Sequence, residues 1–427
     1  MKNERIFVFL LALISVLIVT TIPAKADQTE KLIEILVEKG VVTNEEAKEL
    51  EDEMKEESQE EAKAEASSGG DWTDKVEVGY KKGAYIKTKD DNYLLKLNVR
   101  VQGFYAYQGR EDREDTSTFR VRRARLLASG NAVYPWMKYG TQITLEGDSA
   151  SLRDAWIESA YFDYSKIRLG QYKVPFDREF LTSGFSLQLI DRSIANDEFS
   201  LRRDIGLQFA GNLFQDRFNY AVGMFNGSGA NQSNQNNDFM YVGRMVYMPF
   251  GSYPYSQGAL DTPDRSKLAI GLAGAYLPSL EPGERDSLAG RLGNTNIVSV
   301  TSDVYELTAD VAFKYQNISF EGGYYFRNID PEEPTPFGEQ DADGFYLQLG
   351  YFFIPKKFEV AARYSWADPD NPNTIENNEQ TEYTAGLSYY ISGHDLKLQA
   401  NYSLYTIETP DKDIDDHVVQ AQVTLAF

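Results

Sequence analysis

Beyond residue 75, apolar residues recur at every second position, in segments of roughly ten residues that turn-rich stretches separate. Residues 95–102 show the pattern clearly, because the odd-numbered positions are apolar and the even-numbered positions are polar. A β-strand of this kind gives one face to an apolar environment and the other to water. The same alternation occurs at residues 93–108, 209–225, 267–277, 304–316 and 381–391. The number and regularity of these segments favour a transmembrane β-barrel over a soluble β-sandwich.

Counting the segments from Tyr93 onward predicts an all-β transmembrane barrel of about 16 antiparallel strands, a size that leaves an aqueous channel. The barrel domain covers residues 71–427, and residues 75–90 predict a small additional hairpin at its start. Short turns alternate with long polar loops, as the hairpins of such a barrel require. Residues 251–266 break this alternation, because they form a long connection where a short turn is due. Both barrel termini fall on the short-turn side, which predicts that this side faces the periplasm.

Residues 1–26 predict a signal peptide for export. A charged start with Lys2 and Arg5 precedes an apolar run over residues 6–22, and the A-x-A cleavage pattern follows at residues 24–26. An uncleaved anchor helix is the alternative interpretation. No later stretch approaches the roughly 18 apolar residues of a membrane-spanning helix. A mature protein that sits in a membrane must therefore do so as a barrel.

Residues 27–70 predict a charged α-helical or coiled-coil segment in the periplasm, which ends in a linker at residues 67–70. The segment is rich in Glu, Lys and Ala and strongly acidic. Thr43 with Glu46 forms a capping box that begins a second helix. Two interpretations remain open: a highly charged spacer, or a short coiled coil that helps to hold an oligomer together.

The end of the chain carries the most specific local signal. Residues 418–427 alternate between apolar and polar residues, and the last residue is Phe427. Such an ending resembles the recognition signal of bacterial outer-membrane proteins. Together with the predicted signal peptide, it indicates that the chain is located in a bacterial outer membrane.

Several short motifs follow one another in a characteristic order and spacing. They lie at residues 119–125, 154–156, 169–176, 181–183, 203–206 and 225–227, and they read FRVRRAR, DAW, LGQYKVPF, LTS, RDIG and FNG. In these motifs the chain resembles the phosphate-selective porin O and P family of bacterial outer-membrane porins. The resemblance extends over most of residues 74–427.

The resemblance implies a trimeric, sixteen-stranded barrel in which the third external loop folds inward and basic residues line a path for phosphate-like anions. The strand count independently makes residues 175–200 the third long loop. This loop contains Phe176, Phe180, Leu187 and Leu189, among other apolar residues, and is too apolar to be freely solvated. Packing against the inner wall of the barrel would use these side chains.

Basic residues in the first third of the barrel are the candidates for anion selectivity. A pore selects anions by presenting Arg and Lys at a constriction. The planar guanidinium of Arg also offers paired donors to phosphate. The candidate pore-lining and anion-binding residues are Arg120, Arg122, Arg123, Arg125, Lys173, Arg178, Arg192, Arg202 and Arg203.

The second predicted barrel strand contains a conflict of parity. Strict alternation places Phe119 and Val121 on the same face as Arg123 and Arg125. A β-bulge near Arg122 would resolve the conflict, because it would turn all four arginines of residues 120–125 inward and Ala124, Leu126 and Ala128 toward lipid.

A general diffusion porin is the alternative to an anion-selective one. General porins set arginines on one side of the constriction against acidic residues on the other, which produces a transverse field and mild selectivity. The acidic residues available for this role are Glu146, Asp148, Asp154, Glu158, Asp177 and Glu179. In this alternative, residues 27–70 act as a tether to the cell envelope. The formal net charge of −22 does not decide the question, because the local field at the constriction governs selectivity.

The sequence predicts no enzyme. Neither of the two histidines, His394 and His417, has a serine motif nearby, and both are expected to be solvated turn or loop-end residues. No catalytic residue, metal site or cofactor is predicted, and the absence of cysteine excludes disulfides and Cys-ligated metals. The acidic balance argues against a nucleic-acid partner.

We therefore expect an outer-membrane porin that forms a water-filled channel for passive diffusion of small solutes, with a preference for anions and possible selectivity for phosphate. The expected partners are small anions such as phosphate, outer-membrane lipid and further copies of the chain in a homotrimer. A contact of residues 27–70 with peptidoglycan or another envelope partner is a further expectation.

Overall fold

The computed structural model describes residues 75–147, 149–234, 236–261, 263–282, 298–336, 338–369, 379–409 and 412–427. The chain divides into two units, Met1–Lys75 and Val76–Phe427. The expectations for the signal peptide at residues 1–26 and for the charged segment at residues 27–70 lie outside the described residues and stay predictions. Apart from Lys75, the described residues all belong to the second unit.

The second unit is built from antiparallel strands. They are β1 (Val76–Tyr80), β2 (Ala84–Thr88), β3 (Leu94–Arg110), β4 (Thr116–Asn131), β5 (Met137–Thr144), β6 (Ser151–Phe162), β7 (Ser165–Lys173), β8 (Arg203–Leu213), β9 (Phe218–Phe225), β10 (Met240–Tyr247), β11 (Lys267–Leu280), β12 (Ser302–Tyr315), β13 (Ile318–Pro331), β14 (Gln340–Ile354), β15 (Phe358–Asp368), β16 (Gln380–Ser392), β17 (Leu396–Glu408) and β18 (Asp413–Ala426). From β3 onward each strand pairs with the next, and β18 pairs with β3. The result is a closed barrel of 16 strands, which confirms the predicted barrel.

The helices α1 (Arg178–Leu181) and α2 (Ile194–Phe199) lie between β7 and β8. Asp177 caps α1 and Ser193 caps α2, each by accepting a hydrogen bond from a backbone N–H of the first turn. No helix among the described residues is both long enough and apolar enough to cross a membrane.

Because of the period-two pattern, alternate side chains of each strand face the barrel interior and the outer surface. In β16, Glu382 is fully buried toward the barrel interior, whereas the neighbouring Tyr383 is 54% exposed on the outer surface. Ser388 and Tyr389 repeat the pattern further along the same strand. Because closure of the barrel pairs the edge strands with each other, it leaves no free edge in the lipid.

The barrel closes at its C-terminus. The last residue pair between β18 and β3 joins Ala426 to Arg100, and Phe427 then exchanges backbone hydrogen bonds with Val99 at 2.7 and 2.9 Å. Where β18 ends, β2 takes its place beside β3 and pairs with residues 94–97. The β1–β2 hairpin corresponds to the additional hairpin expected at residues 75–90, which the sequence could not place.

Two β-bulges turn extra arginines toward the interior. Between β3 and β4 the register passes from Gln102 opposite Arg123 to Gly103 opposite Val121, so that Arg122 is the additional residue. This is the bulge that the parity conflict predicted. A second bulge between β5 and β6 leaves Arg153 as the additional residue. A bulge bends the strand and redirects its side chains.

Residues 174–202, which we call the inner loop, connect β7 to β8 and pack against the inside of the wall formed by β12–β17. Leu189 is fully buried, and the Gln188 side chain donates hydrogen bonds to Ser319 Oγ at 2.7 Å and to Glu359 Oε1 at 2.6 Å. Arg363 donates to the backbone carbonyls of residues 191 and 192. The apolar side chains of the loop are therefore used in packing.

The connection between β10 and β11 also turns into the barrel, from the short-turn side. The Gln257 backbone N–H donates to the carbonyl of Ser186 at 3.0 Å, and its side chain accepts a hydrogen bond from the Gln188 N–H at 2.9 Å. The same side chain donates to Glu321. The long connection that broke the predicted alternation is thus a second inward segment, and it touches the inner loop.

The two histidines differ from the expectation. His394 lies in the turn between β16 and β17, half-buried, with Nε2 3.2 Å from the carbonyl oxygen of Gln257. It is less solvated than expected, because the second inward segment contacts it. His417 is exposed as expected, but it lies within β18 and contacts the Tyr402 hydroxyl at 2.7 Å.

Replacing Gly350 by Ala should loosen the inner loop. A Cβ atom at this position would overlap Gln188 Nε2 and come within 2.8 Å of Ser319 Oγ. Overpacking of this kind costs about 1–3 kcal/mol. We expect hydrogen exchange at the amides of residues 186–190 to accelerate in Gly350→Ala. The matched control is Gly243→Ala, where no atom lies within 4 Å of the added carbon. Equal protection in both variants would contradict this packing of the loop.

Candidate functional site

A cavity of about 380 Å³ lies between the inner loop and the wall formed by β3–β8. Half of its lining residues are basic, and a single one is acidic. The basic residues are Arg100, Arg123, Arg125, Arg153, Arg168, Lys173, Arg192 and Arg203, and the acidic residue is Asp154. The other lining residues include Trp156, Tyr172, Phe180, Leu181, Ser183 and Gly184. Positive charge is denser here than in three other cavities of the described residues.

Five of the nine candidate residues line the cavity: Arg123, Arg125, Lys173, Arg192 and Arg203. They come from three strands and from the inner loop. Arg203 is held by Asp154, with Nε 3.0 Å from Oδ1. Arg123 donates to the side-chain oxygen of Gln102 at 2.7 Å and has no carboxylate partner among the described residues.

Arg120 and Arg122 lie outside this cavity, and both lie beside the ring of Phe104. Their guanidinium carbons are 5.0 and 4.9 Å from the centroid of Phe104, whose side chain is buried in the interior. Arg122 also forms an ion pair with Asp191 of the inner loop. Both arginines therefore face inward, as the bulge predicts, and they continue the basic surface toward the long-loop end of the barrel.

Arg178 and Arg202 do not line the cavity. Arg178 lies on the opposite side of the inner loop, where it is 1% exposed, stacks on Tyr253 and donates to the Pro254 carbonyl at 2.8 Å. Arg202 donates to the carbonyl of Asp197 at 3.1 Å. The sequence could not separate these two from the others, because residues of an irregular loop have no alternation to fix their direction.

Three lining arginines were missed by the sequence reasoning: Arg100, Arg153 and Arg168. A signal existed for each of them. Arg100 occupies an even, polar position of the first barrel strand, and Arg168 stands between Ile167 and Leu169. Alternation alone would have turned both inward. Arg153 is the additional residue of a bulge, and its shared parity with Ile157 is a conflict of the same kind as that in β4.

Aromatic rings hold the guanidinium groups in place. Arg100 and Arg125 lie 5.5 and 5.6 Å from the centroid of Phe185. Arg192 and Arg203 lie 4.9 and 5.7 Å from that of Phe180. A ring face attracts a cation without neutralising it. The arginines are therefore positioned while their N–H groups stay directed to other acceptors.

Some of those N–H groups have no protein acceptor. The Nε atoms of Arg125 and Arg153 are buried and make no hydrogen bond to the described residues. Arg125 is 8% exposed, and its one ion pair within the described part of the chain is with Glu146 at 3.8 Å. Buried donors are normally satisfied by protein, water or ligand. The cavity therefore offers donors to an anion.

Lys173 positions the tip of α1. Its Nζ donates to the carbonyl oxygens of Phe180, Leu181 and Thr182 at 2.6, 3.0 and 3.1 Å. Arg192 donates to the Thr182 carbonyl as well, at 2.7 Å. These bonds satisfy carbonyls that a helix leaves unpaired at its end. They also leave the side chains of Phe180 and Leu181 facing the cavity.

Two acidic side chains of the inner loop, Asp177 and Glu179, point away from the cavity, whereas Asp191 pairs with Arg122. Asp177, 2% exposed, accepts hydrogen bonds from the Phe180 N–H at 2.6 Å and from Ser200. Glu179 is fully buried; it accepts from the Ser193 N–H and hydroxyl and lies 3.6 Å from Arg363 on the opposite wall. Neither carboxylate faces the arginines of β3–β8.

The remaining acidic candidates belong to the basic wall itself. Glu158 pairs with Arg168 at 2.6 Å, and Glu146 accepts a hydrogen bond from the Ala124 N–H at 2.7 Å. Asp154 pairs with Arg203 inside the cavity. Asp148 lies outside the described residues. No group of His, Cys, Asp or Glu suited to a metal ion occurs in the described part of the chain.

Burial changes the titration of the loop acids. It raises the pKa of Glu179 to about 7, against the opposing effects of Arg363 and the Ser193 hydrogen bonds. Burial likewise raises the pKa of Asp177. A carboxyl group whose pKa is raised by folding contributes its full stabilisation below its ordinary pKa. That contribution is lost as the pH rises through the folded value.

The attachment of the inner loop should therefore weaken between pH 5 and pH 8, by up to about 3 kcal/mol if Glu179 alone titrates. The measurement is the hydrogen-exchange protection of residues 178–200 at the two pH values, corrected for intrinsic exchange. The neutral variant Glu179→Gln should remove most of the dependence. Unchanged protection in the natural protein, or stronger protection at pH 8, would show that the buried carboxyl does not titrate in this range.

Comparisons with known proteins decide the family. The family model described as phosphate-selective porin O and P matches residues 95–427. The chain belongs to this family. An uncharacterized protein from Aquifex aeolicus (strain VF5) is 23% identical in an alignment of 453 positions, which covers 95% of each protein.

Solved structures share the fold of this porin. An anion-selective porin from Comamonas acidovorans matches with a TM-score of 0.54 and 13% identity, over 78% of this chain and 99% of that one. Salmonella typhi OmpF in complex with daunomycin matches with a TM-score of 0.54 and 13% identity, over 80% of this chain and 100% of that one. The high-pH structure of Pseudomonas putida OprB matches with a TM-score of 0.54 and 14% identity, over 79% of this chain and 95% of that one. At these identities the likeness concerns the fold alone.

The family and the fold together support an outer-membrane channel, as the sequence motifs predicted. They leave the choice of solute to the chemistry of the constriction.

Proposed function

We propose that this porin forms a water-filled channel for passive diffusion of small solutes and that it prefers anions, phosphate among them. The observation that carries the proposal is the orientation of the inner loop. Across the cavity from the arginines of β3–β8, the loop presents Phe180, Leu181 and Arg192. Its carboxylates at Asp177 and Glu179 are buried on its other side.

The placement of charge has a direct electrostatic consequence. A general diffusion porin sets arginines against acidic loop residues, so that cations and anions each find a favourable side. Here both sides of the gap carry positive charge, and Asp154 is already paired with Arg203. Fixed charges of one sign in a low-dielectric wall attract the opposite ion and repel their own. The gap therefore favours anions despite the acidity of the whole chain.

Phosphate suits the donors in this gap. Guanidinium groups present paired N–H donors in the geometry of phosphate oxygens. The Nε atoms of Arg125 and Arg153 are buried without a hydrogen bond to the described residues, and buried donors of this kind favour an acceptor beside them. The family description and the anion-selective porin from Comamonas acidovorans, which has the same fold, support the proposal as analogies.

For assembly we propose a homotrimer in the outer membrane, with residues 27–70 as a periplasmic coiled coil. Deletion of residues 27–70 tests this assignment. Loss of trimers with envelope attachment intact supports the coiled coil, whereas loss of attachment alone supports a tether to peptidoglycan.

The test of selectivity is the reversal potential of the channel in a planar bilayer under a KCl gradient. The sign of the reversal potential should show that the channel conducts chloride better than potassium. In Arg100→Gln and Arg123→Gln the ratio of chloride to potassium permeability should fall about fivefold each, which corresponds to about 1 kcal/mol of lost attraction. The matched control is Arg217→Gln, an exposed arginine in a short turn outside the cavity.

A gain-of-charge variant tests the role of the loop directly. Phe180→Glu places a carboxylate opposite the basic wall and recreates the facing-charge arrangement of a general porin. We expect the reversal potential to move toward that of potassium. A potassium-preferring natural channel would refute the anion proposal, and absence of channel activity would refute the proposed diffusion function.

A further inference from the structure

We propose that the cavity accepts small organic anions in which a phosphate or carboxylate group is carried by an aromatic ring, and binds them better than the corresponding alkyl anions. The inference rests on the proposed function, since it names the class of anion that the same cavity recognises. Three features of the cavity support it: its size, its apolar side and the stacking geometry of its arginines.

The cavity is larger than an inorganic oxyanion needs. Its volume of about 380 Å³ is more than ten times the roughly 30 Å³ that one water molecule occupies in the liquid. It falls in the range of about 300–1,000 Å³ that is usual for sites of organic ligands. An oxyanion bound to the arginines would leave much of this space to water.

One side of the cavity is apolar. The side chains of Phe180 and Leu181 are half-exposed to it. Their backbone carbonyls are engaged by Lys173, so that the tip of α1 offers carbon rather than oxygen to a solute. Tyr172 and Trp156 contribute further ring surface from the wall. Apolar surface left against water is unfavourable, and an organic body would cover it.

The opposite side supplies donors in a form that suits an aromatic acid. The Nε atoms of Arg125 and Arg153 are buried and lack hydrogen bonds to the described residues, and Arg125 is about nine-tenths buried. The guanidinium of Arg168 lies 4.3 Å from the ring of Trp156. Arginine stacks on aromatic faces as well as binding anionic oxygens. A solute with a ring and an anionic group can make both kinds of contact at once.

The tip residues Phe180 and Leu181 would then determine specificity among anions, while the arginines attract anions in general. This division of roles separates the two proposals experimentally. Chloride passage depends on charge alone, whereas discrimination between aryl and alkyl anions depends on the apolar tip.

The experiment measures block of the chloride current through the full-length channel in planar bilayers. Methyl phosphate is compared with phenyl phosphate, and acetate with benzoate, at matched concentration and pH. In both pairs the aromatic member should block half of the current at a concentration at least about tenfold lower. If the aromatic member blocks at the lower concentration in both pairs, the ring is the recognised element. If it does so in the phosphate pair alone, the class is restricted to aryl phosphates.

Variants of the tip provide the controls. Phe180→Ser should bring the aryl and alkyl members of each pair to nearly equal potency, whereas Phe180→Leu should retain part of the difference. Leu145→Ser, at an exposed apolar position outside the cavity, should leave the difference unchanged. The unblocked chloride current measured in the same membranes shows that each variant forms an open channel.

The two proposals fail in different ways. A cation-preferring natural channel overturns the proposed function and this inference with it. A chloride-preferring channel that aryl and alkyl anions block equally, or in which Phe180→Ser preserves the aryl advantage, overturns this inference alone.

Discussion

The attachment of the inner loop to the wall formed by β12–β17 through ion pairs determines the character of the pore. Glu179 lies beside Arg363, which also pairs with Glu382 at 2.5 Å. Glu198 accepts from Arg327, which in turn pairs with Glu306. Removing one member of such a buried set leaves an uncompensated charge, at a cost of about 3–5 kcal/mol. Glu179 and Glu198 are therefore held at the far wall, whereas Asp191 of the same loop pairs with Arg122 of β4.

This attachment makes the barrel interior asymmetric. The inner loop and the second inward segment meet at Gln188 and Gln257 and occupy the side lined by β12–β17. The open cavity remains along β3–β8, where two bulges have added Arg122 and Arg153 to the inward-facing positions. A chain with a formal charge of −22 thus encloses a positively charged gap. Net charge describes the surface of a protein, whereas passage depends on the field within the pore.

Much of the fold could be predicted from the sequence, because a barrel in lipid must satisfy its backbone by strand pairing and alternate its side chains. The same rule exposed the conflict between Val121 and Arg123 and thereby the first bulge. The second bulge leaves a similar conflict, because Arg153 shares its parity with Ile157 and Leu152 shares its parity with Asp154.

The direction of the loop acids was beyond the sequence. Their partners come from distant strands, as the separation of 129 residues between Glu198 and Arg327 shows. Residues 175–200 contain acidic and basic side chains in comparable positions, and only the folded wall decides which of them turn inward. Arg178, which resembled the other candidates in sequence, became part of the attachment to Glu321 instead.

The central claim is that the gap holds anions because the carboxylates of Asp177 and Glu179 face away from it. Anomalous scattering from crystals equilibrated with caesium bromide tests this most directly, since both ions are located in one experiment. We expect bromide to lie beside Arg123, Arg125 and Arg153 and no caesium to lie in the cavity. Caesium near the tip of α1, with the side chain of Asp177 or Glu179 turned toward it, would contradict the account.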